Sequence, residues 1–290
     1  MKLATFTHDG TTRIGAVVGD GVVDFASAAP ELPREMCAFL AAGDAAMAAA
    51  RKVAAGRPTL PLAAVTLEAP VLKPSKVMAI GLNYADHVKE SGLEMPKHQI
   101  WFSKSPTSIA GPFADVLKPA VSDLIDYEAE LCMIIGKRAR HVPRERAGEV
   151  IAGYCCGNDI SVRDWQLRTP QYVIGKSFDT HGPIGPWITT PDEAGDPQAL
   201  DIKCFVNGEQ RQSSNTRHLI FDCLAQIEEL TRAMTLEPGD VIFTGTPSGV
   251  GGAMKPMQFL AAGDRVRVEI SGLGAIENRL VAEDPVTIIG

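Results

Sequence analysis

The sequence predicts a β-rich α+β protein built on packed sheets or a barrel. Three observations lead there. Many short apolar runs are bounded by Gly, Pro and Asp turns, and few stretches carry helical spacing over any length. The chain of 290 residues contains 27 Gly and 20 Pro, enough for many turns, with no internal repeat. Residues 2–25 read as three short strands, with turns at His8-Asp9-Gly10 and Gly19-Asp20-Gly21 between alternating apolar residues. Residues 33–55, Ala-rich with Met36, Phe39, Leu40 and Met47, read as helix despite Gly43. Arg57-Pro58 to Pro61 and Ala69-Pro70 are punctuation, so a boundary is placed near 70, dividing a small N-terminal α/β domain (1–70) from the remainder (71–290). In the remainder, Val77-Met78-Ala79-Ile80 is a strand running into Gly81, and residues 84–91 form a helical turn. Residues 127–135 and 150–156 are buried strands. A helix is expected over about 217–234, where Leu219, Ile220, Cys223, Leu224, Ile227 and Leu230 repeat at helical spacing and Asn215 or Thr216 supplies the cap. Val241-Ile242-Phe243-Thr244 follows the turn Pro238-Gly239-Asp240, and residues 265–270 and 275–281 flank the hairpin Ser271-Gly272-Leu273-Gly274.

Composition narrows the function. Apolar residues make up 45% and charged residues 22%, a globular mix that excludes extended disorder. The formal charge of −7 argues against a general nucleic-acid binder, but local cations or a metal still permit an acidic small-molecule substrate. The six cysteines form no C-x-x-C pair and have no His at zinc spacing, so they read as small buried hydrophobes in a reducing compartment. Neither a signal-peptide h-region nor an apolar run of roughly 18 residues is present, and the expectation is a cytoplasmic protein without membrane partners. There is no P-loop, no G-x-G-x-x-G opening a helix and no G-x-S-x-G elbow.

The most informative segment is Asp126-Tyr127-Glu128-Ala129-Glu130-Leu131-Cys132-Met133-Ile134-Ile135. Strand alternation puts Asp126, Glu128 and Glu130 on one face, and the apolar continuation is that of a fully buried strand. Carboxylates entering such a strand repel one another and lose hydration, costs that a hard divalent cation relieves; the alternative is a solvated strand end. Asp159, in Asn158-Asp159-Ile160-Ser161, is either a further ligand at a strand end or an Asx-turn or helix cap. His87 and Glu90, at i and i+3, are either a base with its orienting carboxylate or a surface pair. Lys176 in Gly175-Lys176-Ser177 is either a fixed charge for an oxyanion or a surface lysine. The loop Thr244-Gly245-Thr246-Pro247-Ser248-Gly249-Val250-Gly251-Gly252 is either an anion cradle made of backbone N–H groups or a tight turn.

Taken in order, five motifs resemble the fumarylacetoacetate hydrolase family: Gly81–His87, Asp126–Leu131, Asn158–Gln166, Gly175–Thr180 and Leu236–Gly251. The likeness covers about residues 71–290, with the N-terminal part similar to the small preceding domain of longer bacterial members. The resemblance implies mixed β-strands rolled around a metal site, with Glu128, Glu130 and Asp159 as ligands of a divalent cation, Mg²⁺ first and Mn²⁺ or Ca²⁺ as alternatives. It makes Asp126 an outer partner, His87 and Glu90 the dyad that activates water, and Lys176 the group facing the oxyanion. Arg163, Gln166 and Thr246 fall where members contact substrate. The implied activity is metal-dependent hydrolysis of a C–C bond in 2,4-dioxo acids of the acylpyruvate or fumarylpyruvate type, by a homodimer. The alternatives are an isomerase, tautomerase or oxaloacetate decarboxylase acting on a related 2-oxo acid, and, from another class, a non-catalytic metal-binding protein.

Overall fold

The computed structural model describes residues 1–92 and 94–289. Two β-sheets carry the architecture. The larger has 12 strands, with its main path running Leu60–Pro61, Gly21–Asp24, Thr11–Val18, Lys2–His8, Gly182–Thr189, Ile151–Asn158, Ala129–Ile135, Val241–Phe243, Val77–Gly81 and Ile100–Lys104. The second has five strands, in the order Glu209–Asn215, Asp201–Val206, Arg265–Ile270, Gly274–Ala282 and Val116–Lys118. The pairing is mixed: Val241–Phe243 runs parallel to Val77–Gly81, and most other neighbours are antiparallel. Among the described residues the sheets pack rather than close into a barrel. None of the described helices is long and apolar enough to cross a membrane.

The N-terminal strands join the large sheet directly, through Lys2 opposite Thr189 and Leu3 opposite Ile188. The first hairpin turns at Asp9-Gly10, where both residues have positive φ (48° and 69°), the geometry whose twist matches the flanking strands. Residues 33–55 contain two helices instead of one. Met36–Ala41 ends at Ala42, and Gly43, with φ of 73°, restarts the chain as Gly43–Ala54. The helix expected over 217–234 is also shorter. It spans Cys223–Ala233 and is capped by Asp222, whose carboxylate accepts from the Ala225 N–H. Asn215 instead caps a 3-10 turn at Thr216–His218. Leu219 and Ile220 are held outside the helix because the Asn83 carbonyl accepts from the Ile220 N–H and Leu219 bridges to Tyr84.

Ala129–Ile135 lies at the centre, and alternation gives it two buried faces. Ala129, Leu131, Met133 and Ile135 pack with Ile202, Cys204, Val268 and Ile276 of the five-stranded sheet. Cys132 and Ile134 face the other core, with Phe243, Val241, Ile14 and Phe39. All six cysteines are free, and five of them are buried.

Close packing around the neighbouring strand leaves no room for larger residues. A Cβ on Gly153 would lie 2.3 Å from the Thr189 carbonyl oxygen and 2.7 Å from Ile188 Cγ2. Gly153→Ala is therefore expected to lower stability by about 1–3 kcal/mol, read as a fall in the urea unfolding midpoint.

Candidate active site

The site lies where the start of Ala129–Ile135 meets the end of Ile151–Asn158, with Ala129 opposite Asn158. The Asp159 N–H donates to the Glu128 carbonyl at 2.9 Å, locking the two strand ends together. Glu128, Glu130 and Asp159 each offer a carboxylate oxygen, and these oxygens lie within 4.8 Å of one another. All three residues are buried.

The environment treats the carboxylates differently. Burial, then the charges of Asp159 and Glu128, push the Glu130 carboxyl well above its ordinary value; the Lys176 charge and the Gly245 N–H, donating at 2.6 Å, only partly oppose this. Burial also works against charge on Glu128, but Lys176 and Arg163 outweigh it and hold the carboxyl down at about 2. Lys176 Nζ donates to Glu128 Oε2 and Asp159 Oδ2, both at 2.7 Å, and Arg163 Nη1 pairs with Glu128 Oε1 at 2.7 Å. Burial pulls against the Lys176 ammonium, yet Asp159 and Glu128 raise its pKa above the ordinary lysine value. Oxygen-only donors, with one carboxyl disfavoured as an anion by its own neighbours, fit a hard divalent cation.

Asp126 departs from the alternation expected of a continuous strand. Ile125–Asp126 pairs with Ser161–Val162 in a separate two-stranded sheet, and Tyr127 and Glu128 interrupt the run before Ala129. The Asp126 carboxylate accepts from the N–H groups of Tyr127 (2.9 Å), Gly251 (2.7 Å) and Gly252 (2.8 Å), and from Arg163 Nε at 2.9 Å. It thus lies outside the triad and holds Arg163, which pairs with both Asp126 and Glu128.

The glycine-rich loop does cradle anions, but they are the protein's own. Gly245 donates to Glu130, Gly249 to Glu90, and Gly251 and Gly252 to Asp126. Approach this close needs glycine. A Cβ on Gly251 would lie 2.0 Å from the Gln258 carbonyl oxygen, and Gly249, with φ of 102°, would bring one to 2.2 Å from that of Arg211.

His87 and Glu90 lie on the helix Ala85–Ser91, with Nδ1 and Oε2 3.3 Å apart. Glu90 is anchored by the Gly249 N–H at 2.9 Å, and Asp86 of the same helix by Ser248 Oγ at 2.9 Å. Asn83 fixes the approach to this helix: its amide donates to the Phe221 and Thr244 carbonyls and accepts from the Phe221 N–H. Gln166 Oε1 accepts from Arg163 Nη1 at 2.9 Å, and Thr246 Oγ1 donates to the Ala129 carbonyl while accepting from Gln212.

His87, Glu90, Glu128, Glu130, Arg163, Gln166, Lys176 and Thr246 all border one cavity of about 580 Å³, and Asp159 lies beneath it, covered by Lys176. Leu82, Phe102, Leu167 and Phe259 supply apolar wall. Two supporting residues escaped the sequence reading. Gln212 holds Thr246 and accepts from the Ala129 N–H, and Lys104 pairs with Asp159 at 2.6 Å. The signal for Lys104 was a lysine in phase with Phe102 on the inward face of an apolar strand.

The family model for the fumarylacetoacetate (FAA) hydrolase C-terminal domain matches residues 76–281. The chain belongs to the fumarylacetoacetate hydrolase family. Mitochondrial oxaloacetate tautomerases of Rattus norvegicus and Homo sapiens are each 44% identical over 266 residues, covering 91% of this chain and 85% of theirs. Among solved structures, maleylpyruvate hydrolase from Sphingobium, in complex with manganese(II) and pyruvate, is 34% identical with a TM-score of 0.81, covering 98% of this chain and 100% of that one. A 5-carboxymethyl-2-hydroxymuconate delta-isomerase from Mycobacterium smegmatis is also 34% identical, with a TM-score of 0.78 and the same coverage. Members of this family are thus enzymes of several reaction types, and one holds a divalent metal with a small organic acid.

The raised Glu130 carboxyl has a two-sided consequence. A glutamate whose folded-state pKa exceeds its unfolded value favours folding at low pH, and that contribution is lost as pH rises from about 4.5 through the folded value. Glu130→Gln keeps an acceptor for the Gly245 N–H and removes the charge. At neutral pH in chelator the variant should melt at or above the wild-type temperature. With Mn²⁺ added, wild type should gain melting temperature and the variant should not; scanning calorimetry of both under both conditions reads the two signs.

Proposed function

We propose that the protein is a metal-dependent tautomerase or isomerase of small 2-oxo acids, with oxaloacetate as the first substrate to test. The observation that carries this reading is the buried triad Glu128, Glu130 and Asp159, of which the two glutamates border one cavity together with His87 and Lys176. The likeness to oxaloacetate tautomerases over nine-tenths of the chain supports the same choice. The triad would hold a divalent cation, Mg²⁺ or Mn²⁺, which when bound supplies Lewis acidity to a 2-oxo carboxylate.

The chain's own residues divide the remaining work. The Glu90 carboxylate can only accept, so it favours the proton on His87 Nδ1 and leaves Nε2 free as the base. At Nε2 the proton leaves C3 of the keto acid, breaking the C3–H bond as the C2–C3 double bond forms. The Lys176 ammonium faces the oxygen that gains charge, and returning the proton to that oxygen completes the enol. Arg163, fixed by Asp126 and Gln166, presents a further positive group to an anionic substrate. The apolar wall limits water at the reacting carbon.

The His87–Glu90 pair favours a second reading: hydrolytic C–C cleavage of an acylpyruvate, with the same base acting on water. The two are separated by products. The enol absorbance of oxaloacetate and of a panel of acylpyruvates is followed with Mg²⁺ or Mn²⁺ and then with chelator, while pyruvate is quantified in the same samples. Metal-dependent enol–keto exchange of oxaloacetate without pyruvate is the expected result. Stoichiometric pyruvate from an acylpyruvate, with no effect on oxaloacetate exchange, would replace it with the hydrolase reading; pyruvate from oxaloacetate would indicate decarboxylation. His87→Gln should lower the exchange rate about 10²–10⁴-fold and leave Mn²⁺ affinity unchanged.

A further inference from the structure

Lys104 ends the strand Ile100–Lys104 and is 2% exposed. Its ammonium has three hydrogens and three acceptors: Asp159 Oδ1 at 2.6 Å, the His181 carbonyl at 3.1 Å and the Lys176 carbonyl. The Phe243 ring lies on another side, 5.9 Å from Nζ to its centroid. Lys104 is not among the residues bordering the cavity, so it does not reach substrate there.

Each acceptor belongs to a different part of the chain. Asp159 follows Ile151–Asn158, Lys176 lies in the segment after Arg163–Gln166, and His181 leads into Gly182–Thr189. One buried ammonium therefore ties all three segments together, just past the last paired residues of Ile151–Asn158 and Gly182–Thr189, Gly157 opposite Ile184. It also divides the Asp159 carboxylate: Oδ1 is held from behind by Lys104, and Oδ2 is turned toward Glu128, where Lys176 bridges the two. Rotation of the Asp159 carboxylate would break the Lys104 contact and leave a buried ammonium short of an acceptor.

We propose that Lys104 is a positioning residue of the metal centre: it fixes the orientation of the Asp159 carboxylate for a divalent cation and seats the Lys176 backbone beside it. The proposal rests on the reading of Glu128, Glu130 and Asp159 as a cation site. Groups behind a ligand typically change metal affinity by 10–100-fold when removed. If Lys104 acts through Asp159, its effect must vanish once Asp159 no longer offers a carboxylate.

The test is calorimetric titration with Mn²⁺ of the full-length wild type, Lys104→Met, Asp159→Asn and the double variant, with melting temperature in chelator as the check on folding. Lys104→Met is expected to weaken Mn²⁺ binding at least about tenfold in the wild-type background and to change it by no more than about twofold in the Asp159→Asn background. Should Lys104→Met not yield folded protein, Lys104→Gln, which keeps one N–H donor, carries the same comparison. Unchanged Mn²⁺ affinity in Lys104→Met, or equal losses in both backgrounds, would overturn the positioning role while leaving the cation site intact. Absence of Mn²⁺ binding by wild type would overturn the cation site, and the role of Lys104 with it.

Discussion

The structure depends on keeping a cluster of carboxylates out of water. Asp126, Glu128, Glu130 and Asp159 are all buried. Isolated anions in such surroundings would each cost several kcal/mol. Three buried or half-buried cations, Lys104, Lys176 and Arg163, and the amide groups of Gly245, Gly251 and Gly252 offset that cost. Glu130 is the least compensated, with one amide donor and two anionic neighbours, and its raised carboxyl records the imbalance. A divalent cation is the natural counter-charge for that deficit.

This electrostatic constraint accounts for features that would otherwise look unrelated. The loop 244–252 is rich in glycine because its amides must approach three carboxylates while its backbone passes within contact of Arg211 and Gln258. The helix Ala85–Ser91 is tied to the same loop through Glu90 and Asp86, so His87 and the carboxylate floor share one scaffold. The strand carrying Glu130 is clamped between two apolar cores, which resists the movement that repulsion among the acids would otherwise drive. Rigid burial is what allows charged groups to be held at fixed separation in a medium that amplifies their interaction.

The relatives named as tautomerases, isomerases and hydrolases differ in reaction type. In this protein Glu130, Asp159 and Lys176 are each at most 2% exposed. His87 and Leu167, which border the same cavity, are more exposed.

Local pattern made much of this legible. Two-residue turns, period-2 alternation and apolar runs identified the N-terminal hairpins, Val77–Gly81, Ala129–Ile135, Ile151–Asn158 and the C-terminal hairpin, because these signals reside within a few residues of one another. The acids were identifiable as candidates because three carboxylates preceding a buried strand demand an explanation. What local pattern misjudged was settled at a distance. Helical spacing at Leu219 and Ile220 yielded to Asn83, 136 or more residues away in sequence, which captures the chain before Cys223. Asp126 was separated from the triad by pairing with the segment at Ser161 and by amides at Gly251 and Gly252. Lys104 carries no motif at all, since its role exists only where Asp159, Lys176 and His181 converge. By itself the sequence determined which segments are buried strands and which side chains bring charge into them. Only the tertiary structure decided which charges face one another, because burial cost is local to a residue whereas its compensation is supplied by whichever distant segment the fold brings within hydrogen-bonding reach.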